Sequence, residues 1–419
     1  MSHHRMVLAC LATVSTMLGT ACGTSQPAPA TNLPTVPHAT IALGQAPVFD
    51  GSPMAAAEQL GYFGKVGLTV NIRTFGDVQG IGQAAAAGSL NAGLFGDQGG
   101  MPAIANLGHL TYCTFGDIFA GYAIMGRNGK QLTFKDALAK TGGDRQKALQ
   151  LTMQGLKGKT IMTQLSAGTG PFLRLLLADA NMSLADLHVT ELNSPDSATA
   201  FIRGDGDLQL GDVPSQYRLS EQGAVQVITA KDVGPTASLY VGYVCNTAWL
   251  ASNHDTMLRL LSVWYHVADD LNNKNADRTL TIMFNWVNRN AGTTFDLKQA
   301  QYIAKTVSPW PTFDEAGNIF YDPTQSTYIG QRLGYVINGQ VASHKIPTGS
   351  VTPESVTQAA QLYQELKNQK AAADKNFSEL KGRNLSGSAK SAYSQAQSYY
   401  AIRDYLDAAR FSDAALHAS

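Results

Sequence analysis

The chain has 419 residues, and its 31 lysine and arginine side chains balance its 31 aspartate and glutamate side chains. This zero net charge argues against an extended basic surface for nucleic acid or anionic lipid. Hydrophobic residues make up 44% and charged residues 15%, which excludes a largely disordered chain, and the length suits two or three folded units.

The first residues predict an export signal. His3, His4 and Arg5 precede an uncharged apolar run over 6–18, which has the length of a secretory signal and is too short to span a membrane. Small residues then lead to Cys22, and the arrangement resembles a bacterial lipoprotein signal. We expect a signal peptide over 1–21, a lipid-modified Cys22 and a tether over 22–37 that is rich in Pro, Ala and Thr. The alternative is ordinary cleavage that yields a soluble product.

Short apolar runs alternate with helical stretches from residue 38 to about 345, which predicts an α/β fold. The first block is predicted to have strands at 38–43, 68–74, 92–95 and 110–115, with helices at 53–62, 80–87 and 102–107. The second block is predicted to have strands at 159–163, 187–192, 208–210 and 225–228, with helices at 171–180, 197–203 and 213–222. An extended segment over 239–245, a long amphipathic helix over 255–272 and further helices to about 306 follow.

Past residue 350 the pattern becomes entirely helical. One helix begins at 352–354, a break is predicted at 382–387, and a second helix or helix pair occupies 389–416. This C-terminal α-helical extension over 350–419 resembles half of a tetratricopeptide-like hairpin, which cannot bury its own apolar face. We therefore expect it to pack on a lobe, or alternatively to dock a partner or a second copy.

Two loops of the chain echo each other. Gly96-Asp97 and Gly211-Asp212 each follow a predicted strand, and each precedes a proline and a helix. The repeat predicts two related α/β lobes whose equivalent loops face one another.

Several segments in order resemble one family. They are 56–63 and 66–70, then 86–93, 156–161 and the glycine-rich stretch 166–170. With the lipoprotein-like start, they resemble the solute-binding lipoproteins of bacterial ABC importers, in the branch of nitrate, sulfonate, taurine and thiamine-precursor binders. The resemblance covers about residues 38–345.

This resemblance implies a two-lobe type II periplasmic binding protein-like fold, with two α/β lobes joined by two crossing strands. Lobe one is expected over 38–117 and 241–345, and lobe two over 118–240. The stretch 125–154 is longer than the usual link of the family and is expected to be an addition to one lobe. The crossings would fall near Cys113 and Cys245, which leaves a disulfide or two buried thiols as alternatives.

Ligands of open α/β sheets bind in loops at the carboxyl ends of strands. Four such loops supply amide, aromatic, carboxylate and hydroxyl groups, and the resemblance implies that 166–170 takes part in binding. The candidate ligand-binding residues are Gln45, Phe49, Asp97, Gln98, Ser166, Thr169 and Asp212. The alternative for Phe49 is the core, and the alternative for the acidic and hydroxyl residues is helix capping.

The charge of these loops bears on the ligand. Asp97, Asp117 and Asp212 could all face the cleft, and the four loops contain no Arg or Lys. Nitrate and simple sulfonates need cationic or N–H donors, so an amine, a zwitterion or a polyol is favoured. The alternative is that these acids cap helices and face solvent.

The sequence has no HExxH, GxSxG or P-loop motif and no Cys/His cluster with zinc spacing. We therefore expect no catalytic residue, no metal and no cofactor, and no nucleic-acid partner. The function that the resemblance implies is capture of a small molecule and delivery to an ABC transporter permease, at the outer face of the cell membrane or in the periplasm. The alternatives are a ligand-sensing or scaffold lipoprotein whose C-terminal helices dock a partner, and an enzyme on the same fold.

Overall fold

The computed structural model describes residues 33–76, 78–165, 168–211 and 213–419. In this part of the chain ten strands form two five-stranded mixed sheets, as the α/β pattern predicts. The strands are β1 (Ala39–Gln45), β2 (Leu68–Thr74), β3 (Ala92–Gly96), β4 (Leu110–Phe119), β5 (Ala123–Arg127), β6 (Thr160–Thr163), β7 (His188–Glu191), β8 (Leu208–Gly211), β9 (Ala224–Thr229) and β10 (Leu239–Asn246).

The first sheet has the strand order β2-β1-β3-β10-β4. Strands β1, β2 and β3 are parallel, with Ile41 paired with Val70, and β10 runs antiparallel to both β3 and β4. Strand β4 is buried over most of its length, because helices cover both faces of the sheet. A near-continuous apolar run is therefore the expected sequence for such a strand.

The second sheet has the order β7-β6-β8-β5-β9 and contains a strand that the sequence analysis missed. Ala123–Arg127 forms β5, which lies between β8 and β9 and runs antiparallel to both. The stretch 125–154 is therefore not an addition to the lobe. Its helices bury Phe134 and Leu149 in the same apolar cluster as Leu173, so it forms part of the core of this sheet.

The chain crosses between the sheets twice. It leaves the first sheet at Phe119 and enters the second at Ala123, and it returns after Thr229 to enter the first sheet again at Leu239. We call the first sheet and the helices on it the first lobe, and the second sheet and its helices the second lobe.

Nineteen α-helices surround the two sheets in the described part of the chain. They are α1 (Ser52–Gln59), α2 (Tyr62–Lys65), α3 (Val78–Ala86), α4 (Asp97–Leu107), α5 (Phe134–Lys140), α6 (Arg145–Gln154), α7 (Thr169–Asp179), α8 (Ser194–Arg203), α9 (Val213–Glu221), α10 (Ala230–Val233), α11 (Thr247–Ser252), α12 (His254–Leu271), α13 (Ala276–Ala291), α14 (Leu297–Tyr302), α15 (Phe313–Ala316), α16 (Ile329–Ala342), α17 (Ala359–Leu380), α18 (Gly387–Ala401) and α19 (Tyr405–His417). Two π-helical segments follow α14 and α15, at Ile303–Val307 and Gly317–Tyr321.

The C-terminal helices α17 to α19 pack on the first lobe. The segment before α17 adds to the edge of the first sheet, where the N–H of Tyr112 donates to the carbonyl of Val356 at 2.9 Å. Leu362 of α17 and Leu406 of α19 belong to the apolar core of the first lobe. The extension therefore buries its apolar face against that lobe, and its leading segment covers an otherwise open sheet edge.

Cys113 of β4 and Cys245 of β10 form a disulfide between neighbouring strands, with their Cα atoms 6.0 Å apart. The two cysteines are 132 residues apart in the chain, so the bond closes a long loop.

We expect reduction of this disulfide to lower the free energy of unfolding by about 2 to 4 kcal/mol, because the bond restricts the unfolded chain by closing this loop. Urea unfolding with and without a reducing agent measures the effect. The variant with alanine at both positions should show the same loss and no further response to the reductant; an unchanged urea midpoint after confirmed reduction would contradict the prediction.

None of the helices in the described residues is both long enough and apolar enough to cross a membrane.

Candidate functional site

A cavity of about 530 Å³ lies between the two lobes, beside both crossings. The crossing segments contribute Phe119, Tyr122 and Leu239. The first lobe and its helices contribute Phe49, Asp50, Leu94, Val241, Val287 and Phe295, and the second lobe contributes Gln164, Gly168, Thr169, Ser194, Leu210 and Val213. Its volume suits a small organic molecule.

The walls of this cavity are mainly apolar and aromatic. The ring of Phe49 lies 6.4 Å from that of Phe295 and 5.4 Å from that of Trp310, between centroids. On the crossing, the rings of Phe119 and Tyr122 meet edge to face at 5.2 Å. A ligand with an apolar or flat body can therefore be buried against these rings.

Polar atoms enter the cavity from the second lobe at the start of α7. The hydroxyl of Thr169 donates to the backbone carbonyl of Gln164 at 2.6 Å. The first turn of a helix also presents backbone N–H groups that favour an acceptor oxygen. A larger residue than Gly168 would displace the Tyr122 ring, because a Cβ at this position would lie 2.0 Å from its hydroxyl oxygen.

Among the described residues of the first lobe, the charged group at the cavity wall is Asp50. Its Oδ1 accepts a hydrogen bond from the hydroxyl of Ser308 at 2.8 Å. The same hydroxyl also contacts the carboxyl of Asp117, which is completely buried. Burial raises the pKa of Asp50, and burial together with the Asp50 charge raises the pKa of Asp117 well above its ordinary value.

The structure distributes the predicted ligand-binding residues over three environments. Phe49 and Thr169 line the cavity. Gln45 is fully buried, and its Oε1 accepts a hydrogen bond from the hydroxyl of Tyr243 at 3.3 Å. Gln98 lines a second groove of about 850 Å³ between α7 and α16, which shares Tyr122 with the cavity. The predictions for Ser166, Asp212 and Cys22 lie outside the described residues.

Asp97 does not line the cavity in this structure. It begins α4, is completely buried and forms an ion pair with Arg332 of α16. Burial raises the pKa of Asp97, and the Arg332 charge partly offsets this effect. The carboxylate therefore holds α16 against the first sheet instead of presenting a charge to a ligand.

Arg332 also binds the second crossing. Its Nη1 donates to the carbonyls of Pro235 and Thr236, both at 2.9 Å, and its Nη2 donates to the carbonyl of Ser238 at 2.6 Å. The guanidinium thus satisfies three carbonyls that lie between the two sheets. Sequence reasoning missed Arg332, because its partner Asp97 lies 235 residues away in the chain.

The sequence analysis also missed other residues of the cavity wall. Asp50 belongs to the first predicted loop but was not named as a candidate. The wall residues in α13 and in the segment after it come from a part of the chain to which no site was assigned. Among the residues that the structure describes, no arginine, lysine or histidine lines the cavity. That part of the chain also contains no group of three or more His, Cys, Asp or Glu side chains arranged to hold a metal ion.

Two α/β lobes joined by two crossings, with a cavity between them, define the fold of the periplasmic binding proteins. The model of the NMT1-like family matches residues 35–283. Because this match covers more than half of the chain, the protein belongs to the NMT1-like family, and the resemblance to this group of solute-binding proteins is confirmed at the level of family and fold. No curated protein sequence matches the chain.

Solved structures support the same fold at low sequence identity. The periplasmic aliphatic sulphonate binding protein SsuA from Escherichia coli is 16% identical, with a TM-score of 0.56 over 78% of this chain and 99% of that one. The alkanesulfonate-binding protein SsuA from Xanthomonas axonopodis pv. citri, bound to MOPS, is 15% identical, with a TM-score of 0.52 over 77% and 99%. The ligand-binding component of an ABC-type import system from Staphylococcus aureus is 12% identical, with a TM-score of 0.53 over 78% and 98%.

Proposed function

We propose that this protein is an extracytoplasmic solute-binding protein that captures a small polar molecule between its lobes and delivers it to an ABC importer. The observation that carries the proposal is the cavity of about 530 Å³, whose walls come from both lobes and from both crossings. Membership of the NMT1-like family and the shared fold support it. A binding role is favoured over catalysis because the three structural relatives described above are named as binding proteins or components.

The proposed mechanism is closure of the two lobes around the ligand. The lobes are those of the two sheets, within two residues of the expected boundaries at 117/118 and 240/241, and the two crossings act as the hinge. A ligand drives closure only if it binds the closed form more tightly than the open form. Contacts to Phe49 on one lobe and Thr169 on the other can supply this difference, because a single molecule reaches both only when the lobes are close.

The ligand class that we propose is an amine, a zwitterion or a polyol, in preference to nitrate. Asp50 at the cavity wall and the hydroxyl of Thr169 supply groups that bind ammonium or hydroxyl donors. Because the cavity walls are mainly apolar and aromatic, we also propose that the ligand has an apolar part that packs against them.

Export and anchoring complete the proposal. Residues 1–21 act as a signal peptide, Cys22 carries the lipid, and 22–37 tether the lobes to the outer face of the membrane, where a permease receives the ligand. Incorporation of labelled palmitate into the wild-type protein and its loss in the variant Cys22→Ala test this part.

We expect a tryptophan at position 291 to block ligand binding. Ala291 is exposed at the end of α13 and lines the cavity, so the variant Ala291→Trp places an indole at its rim without disturbing the core. Thermal unfolding of the full chain with amines, amino acids, polyamines, sugars, nitrate, sulfonates, taurine and thiamine pyrimidines first identifies a ligand. A ligand at 100 times its Kd should add about 2.7 kcal/mol of stability.

The matched control for this experiment is Asn290→Trp. Asn290 is exposed on the same helix but does not line the cavity, so this variant should retain the stabilisation that Ala291→Trp loses. Equal stabilisation of both variants would place the ligand elsewhere, and a panel without any stabilising compound would remove the main support for the function.

A further inference from the structure

A pair of carboxyl groups stands at the first-lobe side of the cavity. The hydroxyl of Ser308 lies within hydrogen-bonding distance of both Asp50 and Asp117. A hydroxyl group has one hydrogen, so a linear hydrogen bond to one carboxyl leaves its oxygen to accept from the other. This geometry favours a proton on one of the two carboxyl groups.

The orientation of Asp117 follows from an irregularity in β4. Asp117 pairs with Val241 and Phe115 pairs with Gly242, so Gly116 is an extra residue in β4. Such a bulge changes the direction of the side chains that follow it. A Cβ at Gly116 would lie 1.8 Å from the indole of Trp264, so the bulge depends on glycine.

Asp117 therefore lies on the face of the sheet that meets the cavity. Residues directly opposite in an antiparallel pair have their side chains on the same face, and both Val241 and the next pair on that face, Leu239 with Phe119, line the cavity. Asp117 is completely buried, and its Oδ1 has no hydrogen-bond partner among the described residues. Asp50 is half-buried and reaches the cavity itself.

The environment assigns the proton to Asp117. Burial and the charge of Asp50 raise the pKa of Asp117 well above its ordinary value, and Asp50 itself has a raised pKa because of burial. The titratable groups that act on this pair are the two carboxyls themselves, which hydrogen-bond to each other as well as to Ser308; among the described residues, no basic side chain offsets their repulsion. The deeper carboxyl is thus neutral and the outer one carries the charge.

We propose that Asp50 binds the protonated amine of the ligand, while Asp117 remains protonated and hydrogen-bonds through Ser308 to Asp50. This inference rests on the proposed function and names the ligand class as a cation with an apolar body: an alkyl or aryl amine, or an amino acid that carries such a side chain. The chain of hydrogen bonds runs from the Asp117 hydroxyl to Ser308 and from Ser308 to Asp50, so this pair of carboxyl groups carries one negative charge rather than two. One charge suits one ammonium group, and it avoids the cost of two buried carboxylates without a partner.

The experiment compares molecules that share a carbon skeleton. The phenylethyl set is 2-phenylethylamine, phenylalanine, 3-phenylpropionate and 2-phenylethanol, and the 3-methylbutyl set is 3-methylbutylamine, leucine, 4-methylpentanoate and 3-methylbutanol. Calorimetric titration of the full chain at pH 7.5 should show binding by the amine or the amino acid of at least one set and at least about 20-fold weaker binding by its acid and alcohol. An acid or alcohol that binds as tightly as the amine overturns the charge assignment and leaves the solute-binding function intact. Eight inactive molecules overturn the ligand class, and the solute-binding function is then judged by the wider panel.

Two isosteric variants separate the roles of the carboxyl groups. Asp50→Asn should weaken amine binding at least about 20-fold, because the ammonium loses the charged partner that the described residues place at the wall. Asp117→Asn should change it less than about threefold, because an amide N–H replaces the carboxyl O–H toward Ser308. Glu58→Gln, which removes an exposed acid of α1 away from the cavity, should leave it unchanged. Equal losses for Asp50→Asn and Asp117→Asn overturn the assignment of the proton.

A pH series on the unmodified protein tests the same assignment without any variant. Because the pKa of Asp50 is raised, amine affinity should begin to fall at a pH above the ordinary aspartate pKa of about 3.9. The fall approaches about tenfold per pH unit once Asp50 is mostly protonated. An affinity that is constant between pH 7.5 and 4 overturns the proposal.

Discussion

Replacing Asp407 with alanine should lower the free energy of unfolding by about 3 to 5 kcal/mol. Asp407 of α19 accepts two hydrogen bonds from Arg259 of α12, at 2.7 Å from Nε and 3.1 Å from Nη2. Both side chains are 1% exposed. The variant therefore leaves the Arg259 guanidinium buried without its hydrogen-bonded carboxylate, and the charges of Asp404 and Asp255 compensate for this loss only in part. Equilibrium unfolding in urea measures the loss.

Two variants control for this effect. Glu379 of α17 forms an exposed ion pair with Lys375, with Oε1 and Nζ 3.9 Å apart. The variant Glu379→Ala should therefore lower the free energy of unfolding by no more than about 1 kcal/mol. The double replacement Arg259→Met with Asp407→Leu should recover much of the loss, because neither charge is then left alone. A cost for Asp407→Ala as small as that for Glu379→Ala would contradict the buried pair.

The same pair explains why the C-terminal extension is held to the first lobe. Sequence reasoning identified helices with an unsatisfied apolar face beyond residue 350, but apolar spacing alone does not name the surface on which such a face packs. The surface on which the extension packs is determined by contacts between residues distant in sequence. Examples are the ion pair of Arg403, in the 402–404 turn, with Asp269 of α12 and the β-bridge between Tyr112 and Thr357. Such contacts are set by the tertiary fold and leave no local sequence pattern.

Local patterns predicted strands where a strand has a clear apolar run between turn residues. Strand β2 alternates in burial over its first four residues, and both β1 and β2 coincide with the predicted segments within two residues. Strand β5 has only five residues, with no alternation of burial that marks one face. It is a strand because β8 and β9 lie on either side of it, and this non-local pairing is invisible in the segment itself.

The candidate ligand-binding residues also differ in how their local sequence relates to their place in the structure. Of the candidate residues in the loops after the strands, Phe49 and Thr169 line the cavity. A sequence does not show the depth of a carboxylate, so Asp97 and Asp50 could not be told apart. Asp97 is completely buried beside Arg332, whereas Asp50 is half-buried at the cavity wall. Among the described residues, the acidic side chain at the cavity wall is thus Asp50 and not Asp97.

The variant Arg332→Met should therefore destabilise the fold by about 3 to 5 kcal/mol, by leaving Asp97 without its partner. Three carbonyls of the second crossing also lose their donor. Without the cation the pKa of Asp97, already raised by burial, should rise further. A carboxyl whose pKa is higher in the folded than in the unfolded state takes up a proton on folding, and its contribution to stability is lost as the pH increases. The loss caused by Arg332→Met should thus be larger at pH 8 than at pH 5, as measured by urea unfolding at both values.

Asp97 itself provides the decisive control. The double variant Arg332→Met with Asp97→Asn removes the buried charge, so it should recover part of the stability and lose the extra dependence on pH. Arg289→Met, an exposed arginine near the end of α13, should change stability by about 0.5 kcal/mol or less. If Asp97 instead bound the ligand, Asp97→Asn would weaken amine binding as strongly as Asp50→Asn while leaving the urea midpoint unchanged. If Asp97 is instead the ion-pair partner of Arg332, Asp97→Asn should lower the urea midpoint. The preference of the protein for an amine over the matching alcohol should then still depend on Asp50.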